Sequence, residues 1–135
     1  MVSRLNHIAI AVTDLPSTLR FYKEAFGLKA SPISELPKHG VRIATITLEN
    51  VRLEFVSPLN RLSPVSNFLA KRGDGLHHIT FETPNLEKVL KAARSKEIRT
   101  LTDSPTIGYN GNPIIFLHPK DTRGVLIELE ETPPE

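Results

Sequence analysis

The stretch "LHHITF" at residues 76–81 is nearly a copy of "LNHIAI" at residues 5–10. Each puts a histidine, His7 or His78, at the head of an apolar run that alternates as a two-faced strand does. The segments downstream of the two runs agree as well. After the first comes "TDLPSTLRFYKEAFG", in which Asp14 can cap a helix, Pro16 suits its first turn and Gly27 can close it. Leu15, Leu19, Tyr22 and Phe26 fall on one face of that helix. After the second comes "PNLEKVLKAARSKE", capped by Asn85, with Leu86, Val89, Leu90 and Ala93 as its buried stripe. Each helix is succeeded by two strand patterns: "VRIATITL" and "VRLEFVSP" in the first half, "NPIIFLHP" and "GVLIELEE" in the second. The segments "SPISELPKHG" and "IGYNGN" read as a turn and a glycine-containing loop. Between the halves, "LSPVSNFLAKRG" reads as a linking helix with Ser63 as cap, Pro64 at its first position and Gly73 at its end. The expected fold is α+β. Two βαβββ modules, about residues 1–60 and 74–133, are joined by a linking helix of about 62–73 into one domain, 1–135, whose curved mixed sheet surrounds a cleft.

Composition narrows the chemistry. At 135 residues the chain can bury one ordinary core. It has no cysteine, which excludes a disulfide framework, a thiolate nucleophile and a zinc finger, so a metal would have to be held by histidine and carboxylate. The net charge is only +2, and Lys and Arg are dispersed among acidic residues, so nucleic acid is not an expected partner. No apolar stretch approaches the roughly 18 residues of a membrane span, and residues 1–25 show no signal-peptide pattern. The expected location is cytoplasmic, with no membrane partner.

The repeat also aligns chemistry. His7 lies on His78 at an offset of 71, and laying "VRLEF" on "VLIEL" sets Glu54 on Glu128 at an offset of 74. Alternation puts His7 with Ala9 and Ala11, opposite Ile8, Ile10 and Val12, and puts His78 with Thr80, opposite Ile79 and Phe81. Glu54 stands opposite Leu53 and Phe55, and Glu128 opposite Ile127 and Leu129. All four polar side chains thus leave the apolar face, and modules paired about a pseudo-two-fold axis would bring them to one point. Two imidazoles and two carboxylates suit a divalent cation such as Co²⁺, Mn²⁺, Ni²⁺ or Zn²⁺, with coordination positions left for water or substrate. A single histidine at a strand start is ordinarily a hydrogen-bonded residue, and a single strand glutamate ordinarily faces water. Recurrence of both residue types across the repeat singles these four out. His77 faces the other way and reads as structural or supporting, while His39 and His118 lie beside turns and carry no comparable signal.

These residues resemble the vicinal oxygen chelate superfamily and, within it, the methylmalonyl-CoA epimerases. The resemblance runs through "LNHIAIAVTDL", "FYKEAFGL", "SPVSNFLAKRGDGLHHITFE" and "PTIGYNGNPIIFLHPKDTRGVLIELEE", with "GNPIIFLHPKD" its most specific part. It implies His7, Glu54, His78 and Glu128 as metal ligands, Co²⁺ as the cation, methylmalonyl-CoA as the substrate and a homodimer as the assembly. The implied reaction interconverts the (2S) and (2R) thioesters by proton abstraction at C2 through a metal-stabilised enolate. Inversion needs a base on one face and an acid on the other, with Glu128 the first candidate and Glu54 the second. Epimerases of this type often carry a glutamate in the turn that reads "LPKHG" here, or a few residues on. This chain has Lys38 and Ile43 there, which leaves the second acid/base open. Substrate contacts are expected from the backbone of Gly111 and Asn112 and from Lys120, with Lys71 and Arg72 as further cations for phosphates. The ligand set equally suits a glyoxalase-I type lyase. An extradiol dioxygenase would use two histidines and one glutamate around Fe²⁺, and a metal-free sequestering protein of the same fold would need none of the four.

Overall fold

A computed structural model describes residues 1–134 of the chain. The element order is β1 (Arg4–Ala11), α1 (Leu15–Phe26), β2 (Ser34–Leu36), β3 (Val41–Thr47), β4 (Arg52–Pro58), α2 (Pro64–Arg72), β5 (Gly75–Thr83), α3 (Leu86–Ser95), β6 (Thr106–Ile107), β7 (Pro113–Leu117) and β8 (Ile127–Glu131). That is βαβββ twice with a helix between, an α+β fold as the repeat implies. The chain forms two compact units. A central unit comprises Ile8–His77, and a split unit comprises Met1–His7 together with the residues from His78 onward.

In the central unit, β2, β3 and β4 are antiparallel neighbours, and the end of β1 lies beside β4, where the Val12 amide donates to the Val56 carbonyl at 2.9 Å. Both faces are covered. Helix α1 packs Leu15, Leu19 and Tyr22 against Val12, Ala44, Ile46 and Phe55. Helix α2 packs Val65, Phe68 and Leu69 against Ala11, Val41, Ile43 and Val56. The caps are those the sequence proposes: Asp14 accepts from the Ser17 amide, Ser63 accepts from the Val65 amide, and Gly27 takes a left-handed φ of 69° that other residues adopt at a cost.

In the split unit the order is β5, β8, β7, β6, with the start of β1 beside β5. The pair β5–β8 is parallel and the pairs β7–β8 and β6–β7 are antiparallel, so the sheet is mixed. Helix α3, capped by Asn85 through the Lys88 amide, buries Leu86, Val89 and Leu90 against Ile115, Leu117 and Leu129. At about 1.5–3 kcal/mol per fully buried aliphatic side chain, this stripe is the principal stabilisation of that face.

Several details differ from the sequence reading. The turn "SPISELPKHG" contains β2, whose three residues pair with β3 because Leu36 can pack against the α2 cluster. Strand β6 is a two-residue edge pair, too short for a pattern to reveal. Strand β8 begins at Ile127, later than expected, because Arg123 and Gly124 both take positive φ and hold the preceding segment in a turn. Phe26, assigned to the α1 stripe, is 63% exposed. The face of β1 that carries His7 is also buried, since Ala9 and Ala11 are 0% exposed, and the small alanine at position 11 lets the α2 cluster pack closely there.

Candidate metal centre

Within the split unit, three strands hold His7, His78 and Glu128 so that one ligand atom of each lies within 4.8 Å of the other two. Parallel pairing sets Thr80 beside Glu128, and alternation puts His78 and Thr80 on the same face of β5. His7 Nε2 is 3.4 Å and His78 Nε2 3.6 Å from Glu128 Oε1. The two rings meet edge to face at a centroid distance of 5.7 Å, and Phe116 packs on His78 at 5.1 Å. His7 is 2% and Glu128 6% exposed.

Neighbouring side chains fix the orientation of these groups. The Asn6 amide NH₂ donates to Glu82 Oε2 at 2.7 Å, which turns its carbonyl oxygen toward His7 Nδ1, also at 2.7 Å. His7 therefore carries a proton on Nδ1 and turns Nε2 toward Glu128. Arg4 Nε stands 3.6 Å from Glu82, completing a chain of contacts from the surface to the imidazole. The fully buried Thr80 hydroxyl donates to Glu128 Oε1 at 2.6 Å and lies 3.0 Å from His7 Nε2. Burial opposes the charge on Glu128, but hydrogen bonding to His7, His78 and Thr80 outweighs it and holds the carboxyl well below the usual carboxylate range. An ionised carboxylate facing two imidazole nitrogens is the donor set of a divalent cation. Donors 3.4 and 3.6 Å apart can each reach a common ion through bonds of about 2.1 Å, so the observed spacing fits.

The other residues singled out by sequence are distributed over both units. Glu54 is buried in the central unit, where it pairs with Thr45 across β3–β4, and its Oε2 accepts from Arg52 Nη2 at 2.9 Å. Gly111 and Asn112 lie in the β6–β7 loop, and Asn112 donates its side-chain amide to Glu130. Lys120 is exposed, in the segment after β7. Lys71 and Arg72 end α2, with Arg72 5.8 Å from the centre of the Phe68 ring. His77 packs edge-on against that same ring at 4.9 Å, a structural contact. Sequence reasoning missed Asn6, Thr80, Glu82 and Glu130. Period-two alternation from His78 reaches Thr80 and Glu82, and from Glu128 reaches Glu130, so that signal was present. Asn6 offered none beyond its place next to His7.

Comparison with known proteins gives a consistent result. Residues 6–116 match the Glyoxalase/Bleomycin resistance protein/Dioxygenase superfamily. The chain is 44% identical to the mitochondrial methylmalonyl-CoA epimerase of Homo sapiens over 96% of its own length and 74% of that protein. It is 39% identical to the ethylmalonyl-CoA/methylmalonyl-CoA epimerase of Cereibacter sphaeroides, over 97% and 99% of the two chains. A solved structure of a methylmalonyl-CoA epimerase in complex with methylmalonyl-CoA and NH₄⁺ superposes with a TM-score of 0.91 at 36% identity, covering 98% of this chain and 96% of that one.

Proposed function

Because the chain belongs to the Glyoxalase/Bleomycin resistance protein/Dioxygenase superfamily and aligns along almost its full length with epimerases of that group, we propose that it interconverts (2S)- and (2R)-methylmalonyl-CoA. The observation that carries this reading is the cluster of buried His7 and Glu128 with half-buried His78. C2 of the substrate is flanked by a thioester and a carboxylate, so removing its proton spreads negative charge over oxygens on both sides. His7, His78 and Glu128 would hold a divalent cation, Co²⁺ by resemblance, which when bound would supply a Lewis-acid centre for that charge.

The chain's own groups have separable tasks. Asn6 holds His7 in one tautomer, with Glu82 holding Asn6 in turn. Thr80 fixes the Glu128 carboxylate by a short hydrogen bond. Glu128 stays ionised through the neutral range and is the first candidate to accept the C2 proton. Glu54 is our candidate for the fourth ligand and for the acid/base on the opposite face, on the strength of its repeat relation to Glu128. Gly111, Asn112 and Lys120 are our candidates for substrate contacts. We further propose a homodimer working in the cytoplasm. Among the described residues no helix is long and apolar enough to cross a membrane.

Proton–deuterium exchange at C2 of methylmalonyl-CoA tests the reading. The wild type should exchange and epimerise the substrate, Glu128→Gln should lose at least about 10³-fold in rate, and Glu54→Gln should lose a comparable factor. Full exchange in both variants would remove the assigned acid/base pair. No exchange by metal-loaded wild type would remove the function.

A further inference from the structure

Glu130 is a buried carboxylate that the chemistry above does not use. It lies two residues past Glu128 on the same face of β8 and is 3% exposed. Its oxygens accept from the side-chain amide of Asn110 at 3.4 and 3.5 Å and from that of Asn112 at 3.1 Å. These asparagines flank Gly111, whose φ of 80° belongs to the region glycine favours. The loop is closed by its own backbone, with the Gly108 amide donating to the Asn112 carbonyl at 2.9 Å and the Gly111 amide to the Gly108 carbonyl at 3.0 Å. Gly108 also lies so close to Ile114 that a Cβ would come within 2.9 Å of its Cγ2, and Ile114 is the ladder partner of Glu130. Three attachments thus fasten loop 108–112 to a single rung of the β7–β8 ladder.

The repeat shows what is unusual here. The offset of 74 that carries Glu54 to Glu128 carries Val56 to Glu130. Correspondingly, the rung Ile43–Val56 in the central unit matches the rung Ile114–Glu130 in the split unit. The first is closed by apolar packing in the Val65 cluster. The second is closed by a loop of glycines and amides. A valine at position 130 would suffice for apolar cover, and burying an ion costs several kcal/mol unless dedicated donors meet it. The two asparagines are those donors. Strand rise puts the Glu130 Cα about 7 Å from that of Glu128, a span suited to a small acyl group.

We propose that Glu130 is a positioning residue: it pins loop 108–112 beside Glu128, so that the loop's backbone forms a fixed wall for the acyl end of the thioester substrate. This rests on the function proposed above, and its test has two readouts. In metal-free, unliganded protein, the backbone amides of residues 108–112 should exchange with deuterium about tenfold faster in Glu130→Gln and in the Asn110→Ala/Asn112→Ala double variant, the scale of one charge-assisted hydrogen bond. In metal-loaded enzyme Glu130→Gln should raise KM for methylmalonyl-CoA about tenfold while kcat changes less than about threefold, with Co²⁺ affinity kept. The triple variant should be no worse than either, since all remove one anchor. Loop exchange equal to wild type in both variants overturns the anchor. Faster exchange with unchanged KM, or KM effects that appear only together with lost Co²⁺ binding, overturns the wall. Absent turnover by the wild type, with the exchange contrast intact, is instead the signature of a failed function assignment.

Discussion

In the central unit the rung Ile43–Val56 packs with Val65 in an apolar cluster that Phe68 and Leu69 of α2 complete; in the split unit the corresponding rung, Ile114–Glu130, meets Gly108, Asn110 and Asn112 of a loop. The same comparison extends along β1 and β5. The offset of 71 sets Ala9 and Ala11, both 0% exposed, against Thr80 and Glu82. Small apolar residues on one copy accept a helix, whereas hydroxyl and carboxyl groups on the other build a hydrogen-bonded bed for the His7 imidazole. The repeat therefore presents two similar frameworks, and side-chain differences on one face give an apolar cluster in one and a polar cluster in the other.

The largest effect should come from exchanging residues between the two rungs. Val56→Glu places a carboxylate in the apolar cluster without donors and should destabilise the protein by about 3–5 kcal/mol, read as a lower urea midpoint. Glu130→Val should change stability by less than about 1.5 kcal/mol, because the amide donors it leaves belong to exposed Asn110 and half-buried Asn112, which water can meet. Equal losses in the two variants would mean that the rungs are not differentiated as described. Next in size, His78→Ala should weaken Co²⁺ binding by more than about 100-fold, beyond what loss of an outer partner costs. Asn6→Ala, which frees the His7 ring without removing a ligand, should weaken it by about 10-fold. A calorimetric titration that finds Asn6→Ala indistinguishable from wild type would dismiss the tautomer argument.

The smallest effect concerns a surface pair. The Arg99 side chain donates to both carboxylate oxygens of Asp121, at 2.8 and 3.1 Å, and its backbone amide adds a bond at 2.9 Å. These bonds lower the Asp121 pKa to about 2, against about 3.9 for an unfolded aspartate. A depressed folded-state value contributes stability above the unfolded pKa, and that contribution is lost as pH falls from about 4 to about 2. Asp121→Asn should accordingly be slightly less stable than wild type at neutral pH, and the two melting curves should draw together toward pH 2 and converge below it. A difference that persists undiminished at that pH would assign it to something other than the ion pair.

Much of this was legible in the sequence, for identifiable reasons. Helix ends are written in short-range chemistry, so Asp14, Ser63, Asn85, Gly27 and Gly73 mark the caps correctly. The stripe Leu86, Val89, Leu90 and Ala93 is periodic and is buried as read. His7, His78 and Glu128 were found because a repeat sets residue against residue. Strands β2 and β6 were missed because two or three residues carry no period, and their pairing partners alone define them. Phe26 obeyed the helical period and still faces outward, since a pattern specifies a face and not what covers it. Glu130 escaped notice because a strand glutamate reads as a wet residue until a loop is seen to cover it.

Titrating metal-free protein, purified without a histidine tag, with Co²⁺ in a calorimeter addresses the cluster directly. The wild type should bind one ion per chain, and that binding should disappear in His7→Ala, His78→Ala and Glu128→Gln alike. A wild type that binds no Co²⁺, or variants that retain its stoichiometry and affinity, would contradict the assignment of these three side chains to a common cation.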